Sequence, residues 1–147
     1  MLKKILVAID GSQPSQRALD MGAQIAEKFD AALVLIYVIR DMQLPKSLRQ
    51  MADVELVQES RLTTLQKIGQ TILGEAAARA KKQGAKEIRN EVRPGDPAGA
   101  ILRYAAENAV DLIVMGSRGL GDMESMLLGS VSRKVSNLAK VGCLTVR

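Results

Sequence analysis

Five short apolar runs alternate with four longer segments of helical apolar spacing, and few folds accept that order. Lys3 to Ile9 carries an unbroken apolar run from Ile5 to Ile9, and Ala31 to Ile39 another through Leu33, Val34, Leu35, Ile36, Tyr37 and Val38. Asp111 to Met115 is the third such run. Continuous apolar runs of this length fit parallel strands covered on both faces. Glu87 to Val92 alternates weakly, with Ile88 and Val92, as an edge strand does, and Cys143 to Val146 forms a short last strand.

The intervening segments read as helices. Ser12 caps the first, Pro14 lies in its first turn, and Leu19, Gly22, Ala23 and Ala26 share its inner face to about Lys28. Arg40 to about Val54 is broken by Pro45, with Met42, Leu44, Leu48 and Met51 scattered. It reads either as a flap over a site or as the ragged start of a helix, and the reading taken is a loop that becomes helical near Val54. Leu62, Leu65, Ile68, Ile72, Leu73, Ala76, Ala77 and Ala80 then make a stripe that ends in Lys81-Lys82-Gln83-Gly84, a C-terminal signal. A coiled coil would also use such a stripe, but the strand–helix alternation favours a core-facing helix. Asp96 caps a third helix that starts at Pro97 and turns Ile101, Leu102, Ala105 and Ala106 inward, to about Asn108. Val131, Val135, Leu138 and Ala139 mark the fourth. The β-α-β order implies one α/β domain with a parallel sheet, helices on both faces and right-handed crossovers. The 147 residues suffice for one core, with no internal repeat and no second domain.

The most informative stretch is Ile113 to Ser132. Its apolar strand stops at Gly116, and Gly116, Gly119, Gly121 and Gly129 follow within fourteen residues. Glycine permits positive φ and close approach of another molecule to the main chain. Ser130 and Ser132 stand at a helix start, where serine can cap and where N–H groups remain open. Open amides and the helix dipole attract an anion, most often phosphate. The stretch lacks the Gly-Lys-Ser/Thr ending of a P-loop, and its spacing is not G-x-G-x-x-G. A mobile loop whose glycines only turn the chain is the alternative.

Composition removes other chemistries. With no histidine, Ser-His-Asp and Cys-His catalysis and histidine-based metal sites are absent. Aromatic residues are 2% of the chain, namely Phe29, Tyr37 and Tyr104, too few for base-stacking platforms. The formal charge of +5 is spread along the chain, which argues against a nucleic-acid patch and suits a phosphorylated ligand. Cys143 is the one cysteine; it cannot form an intrachain disulfide and points to a reducing cytoplasm. Asp10 ends the first apolar run too early for a signal peptide, and no segment is long enough to span a membrane.

Three motifs in order resemble the universal stress protein family. They are Ile5-Leu6-Val7-Ala8-Ile9-Asp10-Gly11-Ser12, then Gly95-Asp96-Pro97-Ala98 with Ala100-Ile101-Leu102, then the spacing Gly116, two residues, Gly119, nine residues, Gly129-Ser130. The resemblance covers nearly all of residues 1–147, and the glycine spacing resembles that of the family's ATP-binding members. It implies a Rossmann-like three-layer sandwich with a five-stranded parallel sheet in the order 3-2-1-4-5. The ends of strands one and four, Asp10 and Gly116, then flank the crevice where ligands of open α/β sheets bind. By the same resemblance Ala8 and Ile9 wall the base, and the main chain of Val38 pairs with adenine. Gly116, Arg118 and Gly119 hold ribose and α-phosphate, with Met115 among the same binding residues, and Gly129, Ser130, Val131 and Ser132 the β- and γ-phosphates. Asp10 suits ribose hydroxyls, or else a turn or cap, and Arg118 suits phosphate, or else solvent.

The implied ligand is ATP, with or without Mg2+, and the implied assembly is a homodimer through the C-terminal strand. Asp122 and Glu124 depart from the family's usual loop; they either face solvent or stand behind a divalent cation. Val141-Gly142-Cys143-Leu144 departs from its usual tail. The expected role is a cytoplasmic, nucleotide-responsive binding module of the stress response with an unknown protein client, neither bound to nucleic acid nor inserted in a membrane. The alternatives are slow ATP hydrolysis or self-phosphorylation on Ser130 or Ser132, and an accessory subunit of a membrane transporter.

Overall fold

In the computed structural model, residues 1–40, 54–121, 125 and 127–147 are described, residues 54–57 by backbone alone. In chain order the elements are β1 (Lys4–Ala8), α1 (Gln13–Phe29), β2 (Ala32–Arg40), α2 (Val54–Lys82), β3 (Ile88–Gly95), α3 (Pro97–Glu107), β4 (Leu112–Gly116), α4 (Ser130–Leu138) and β5 (Gly142–Val146). All strands are parallel, in the order β3-β2-β1-β4-β5, as the resemblance implied. The scattered apolar residues Met42, Leu44, Leu48 and Met51, Pro45, and the loop carboxylates Asp122 and Glu124 lie outside the described residues.

β1 is the sheet's centre, paired with β2 on one side and β4 on the other. Its residues alternate between two cores. Ile5 and Val7 join Leu33, Leu35, Leu73 and Val114 against α1 and α2, and Leu6 joins Val34, Ile36, Ile101, Ile113 and Val135 against α3 and α4. Because both faces are covered, the strands must be apolar throughout, and each fully buried aliphatic side chain contributes about 1.5–3 kcal/mol. The helix α1 lies unusually close to the sheet at Gly22, where a Cβ would stand 2.5 Å from Val7 Cγ2.

The caps follow the sequence. Ser12 Oγ accepts the Ser15 N–H at 3.2 Å, with Pro14 in the first turn of α1. Asp96 Oδ2 accepts the Gly99 N–H at 2.9 Å, with Pro97 opening α3. Gly84 takes φ +99 just beyond α2.

Several expectations need correction. β2 runs on through Arg40, and β3 starts at Ile88 and reaches Gly95. Main-chain pairing from Leu33↔Ile88 to Arg40↔Gly95 carries the edge strand beyond its apolar residues, and Pro94 is tolerated because edge strands need fewer donors. The stripe on α2 is only half covered. Leu62 and Ile68 are exposed and the core contact begins around Gly69, since the helix is longer than the sheet it crosses. On α3 the buried position is Tyr104 and not Ala106, and on α4 Leu138 is exposed.

The Asp96 carboxyl is held below the usual carboxylate range, first by the Gly99 N–H and then by the Lys134 ammonium, whose Nζ is 3.4 Å away. The ionised form is the one the fold favours, so its contribution is complete above the ordinary carboxylate pKa and is lost as pH falls through the lowered one. Asp96→Ala is expected to cost about 1 kcal/mol at pH 7 in urea unfolding. The gap to the unsubstituted protein should close as the pH is taken below about 4.

Candidate functional site

The carboxyl ends of β1, β2 and β4 open together into a cavity of about 390 Å³. This is where the winding direction reverses: the chain leaves β1 for β2 on one side, and β4 lies on the other.

From β1 the cavity receives Ala8, Ile9 and Asp10. Asp10 is fixed from three directions. Its N–H donates to Ser15 Oγ at 3.2 Å, its Oδ1 accepts the Ser12 N–H at 2.8 Å, and its Oδ2 accepts the Leu120 N–H at 3.3 Å. The turn role foreseen for Asp10 is therefore real, and the same carboxylate also ties the glycine loop to the end of β1. Each oxygen keeps a further lone pair, so the side chain can still accept from a hydroxyl donor.

From β4 and the loop come Met115, Gly116, Arg118 and Gly119. Gly116 packs against the start of α1. A Cβ there would lie 2.7 Å from Pro14 Cβ, 2.8 Å from the Pro14 carbonyl carbon and 3.0 Å from the Arg118 carbonyl oxygen. Of the loop glycines only Gly121 has positive φ, at 79°. Both uses of glycine, positive φ and close approach, were expected in this loop; at Gly116 the use is closeness.

From α4 the cavity receives Val131 and Ser132, whereas Gly129 and Ser130 are not among the residues that line it. Gly129 itself is the N-cap of α4 with no side-chain cap, so neither serine caps the helix as expected. Ser130 is exposed, and the Ser132 hydroxyl turns back to donate to the Ser117 carbonyl at 2.7 Å. The first N–H used within the helix is that of Arg133, which donates to Gly129 O at 3.0 Å. The N–H groups of Ser130, Val131 and Ser132 meet no acceptor among the described residues. Three open donors at the positive end of a helix dipole make an anion site.

From β2 comes Val38, together with Ile36, Tyr37, Ile39 and Arg40. Leu65 from α2 and Pro97 and Ile101 from α3 complete that end. Tyr37, Arg40 and Leu65 were not foreseen. A usable signal was Gly69, a glycine inside a helical stripe: a Cβ there would lie 2.8 Å from Tyr37 Cδ1, so α2 needs a glycine to pass over that ring. The cavity is thus mainly apolar at the β2 end, where Arg40 is the one charged residue among those described, and polar at the β4 end, with Asp10 between them. Asp10 is the one carboxylate lining it among the described residues.

The family model for universal stress proteins matches residues 1–147. The chain belongs to the universal stress protein family. Universal stress protein YxiE of Bacillus subtilis is 37% identical to it, the alignment covering all of both chains. The solved UspA of Lactobacillus plantarum has the same fold, with a TM-score of 0.87 at 23% identity over 99% of this chain and 97% of that one. A universal stress protein solved in complex with cAMP gives a TM-score of 0.71 at 30% identity, covering 99% and 96% of the two chains.

In this universal stress protein Cys143 is half-buried, and burial pushes its thiol up, as a packing role requires. The tightest structural demand at the site is Gly116. Gly116→Ala is expected to destabilise the protein by about 1–3 kcal/mol, the cost of forcing a methyl group into a filled space. Urea unfolding of the two proteins reads this directly.

Proposed function

We propose that this universal stress protein binds an adenine nucleotide, with ATP as the leading ligand, and acts as a nucleotide-responsive binding module. The observation that carries the reading is the polarity of the cavity at the strand ends. An apolar slot at β2 suits a base, a carboxylate at the end of β1 suits ribose hydroxyls, and open amides at the start of α4 suit phosphates. That order matches the chemical order of a nucleotide. A family member solved with cAMP supports an adenine nucleotide as the ligand class.

In this arrangement ribose hydroxyls donate to Asp10, whose own position is set by Ser12, Ser15 and Leu120. Phosphate oxygens accept from the N–H groups of Val131 and Ser132, with that of Ser130 adjacent at the helix end. Arg118 adds positive charge at the same end of the cavity. Ala8, Ile9, Val38 and Leu65 shield the base from water, and Met115 lies beneath the sugar. Mg2+ would travel on the phosphates: among the described residues no group of three His, Cys, Asp or Glu side chains is placed to hold a metal ion.

Binding is favoured over turnover because Asp10 is already engaged by two main-chain donors and no other described lining residue is a carboxylate. The open side of β5, an edge strand, suits pairing with a second copy into a homodimer. Calorimetric titration with ATP, ADP and AMP tests the reading. Affinity should rise with each phosphate added, since each gains donors at α4. Equal affinity for all three, or no heat with any, would contradict it.

A further inference from the structure

Ser132 lines the cavity but is only 3% exposed, and its hydroxyl is already committed. The Oγ donates to Ser117 O at 2.7 Å, with Gly129 O standing second at 3.2 Å. The same Ser117 carbonyl accepts the Gly129 N–H at 2.6 Å. A carbonyl oxygen has two lone pairs, and here both are filled. The main chain leaving β4 and the main chain entering α4 are therefore sewn together at one peptide. Ser117 also donates its own N–H to Val146 O at 2.7 Å, so the same peptide is registered against the end of β5.

We propose that Ser132 is a positioning residue, whose hydroxyl fastens the anion-binding start of α4 to the end of β4 and does not itself contact phosphate. A hydroxyl has one proton to give. Giving it to a phosphate would leave the Ser117 carbonyl with the Gly129 N–H alone and break one of the two buried bonds that join β4 to α4. What reaches a phosphate from this turn is the main-chain N–H of residues 130–132, and their direction is set by the clasp. The serine hydroxyl that is free of this duty is that of Ser130, on the exposed side of the helix start. The consequence for binding rests on the nucleotide reading; the clasp does not.

Ser132→Ala and Ser132→Thr should be compared by amide hydrogen exchange without ligand, and by titration with ATP and with adenosine. In the ligand-free Ala variant the Gly129 amide should exchange roughly tenfold faster, since one buried hydrogen bond of the clasp is gone. ATP affinity should fall roughly tenfold while adenosine affinity holds, and Thr, which keeps the hydroxyl, should restore both. Unchanged Gly129 protection in the ligand-free Ala variant would overturn the proposal, because a direct phosphate ligand would leave the empty protein as it was. An equal loss of ATP and adenosine affinity would also overturn it. Should the Ala variant not fold, Ser132→Cys keeps most of the volume with a weak donor and takes its place, with the same outcomes. If the unsubstituted protein binds neither ATP nor adenosine, the nucleotide reading fails, and the exchange measurement alone still decides the clasp.

Discussion

The structure depends on β1 being hydrogen-bonded to a parallel neighbour on each side, β2 and β4. A parallel strand cannot be reached by a tight turn, so each neighbour requires a crossover helix. Right-handed crossovers in two directions from β1 send α1 and α2 to one face and α3 and α4 to the other. The connections leaving β1 and β4 then diverge, and the described residues leave an open space between them. The cavity follows from the winding. It owes its position to Leu6 and Val7 pairing with Ile113 and Val114, just below it in the sheet.

On the proposed nucleotide reading, what the crevice recognises is decided by a few main-chain groups. Side chains at its polar end mostly hold backbone in place. Asp10 binds two N–H groups, Ser132 binds a carbonyl, and Gly116 gives way to Pro14. The donors left over at the start of α4 are amides with no acceptor among the described residues, and an amide there has both hydrogen and dipole directed outward. A site built this way is pre-organised, because the bonds that order it are made before a ligand arrives. The apolar end is built differently. Leu65 is brought to the cavity by α2, which passes over the ring of Tyr37 at Gly69.

The sequence was most legible where burial left no choice. Ile5 to Val7 and Ile113 to Met115 are apolar at every position because both faces of the sheet are covered, and these strands were found. β3 was read three residues short, since Arg93, Pro94 and Gly95 pair through main chain that carries no apolar signal. Periodicity identified α2, but periodicity says which residues share a face and not whether anything covers it, so Leu62 and Ile68 were wrongly placed inside. For the loop glycines both positive φ and close approach stayed open. Their spacing was visible, but whether a glycine serves positive φ or close approach depends on what stands opposite, and Pro14 is a hundred residues from Gly116. The roles of Ser130 and Ser132 were blurred likewise, because the partner of Ser132 is a carbonyl fifteen residues back.

The central claim is that unpaired main-chain amides at the start of α4, facing Asp10 across the strand ends, bind the phosphates of a nucleotide. Amide chemical shifts of isotopically labelled protein test it most directly, as ATP is added. The account predicts that the largest changes fall on the amides of Ser130, Val131 and Ser132, with smaller ones at Gly116 to Gly119, and that adenosine leaves residues 130–132 nearly still. Shifts confined to other parts of the chain, or amides at 130–132 that respond equally to adenosine and ATP, would contradict it.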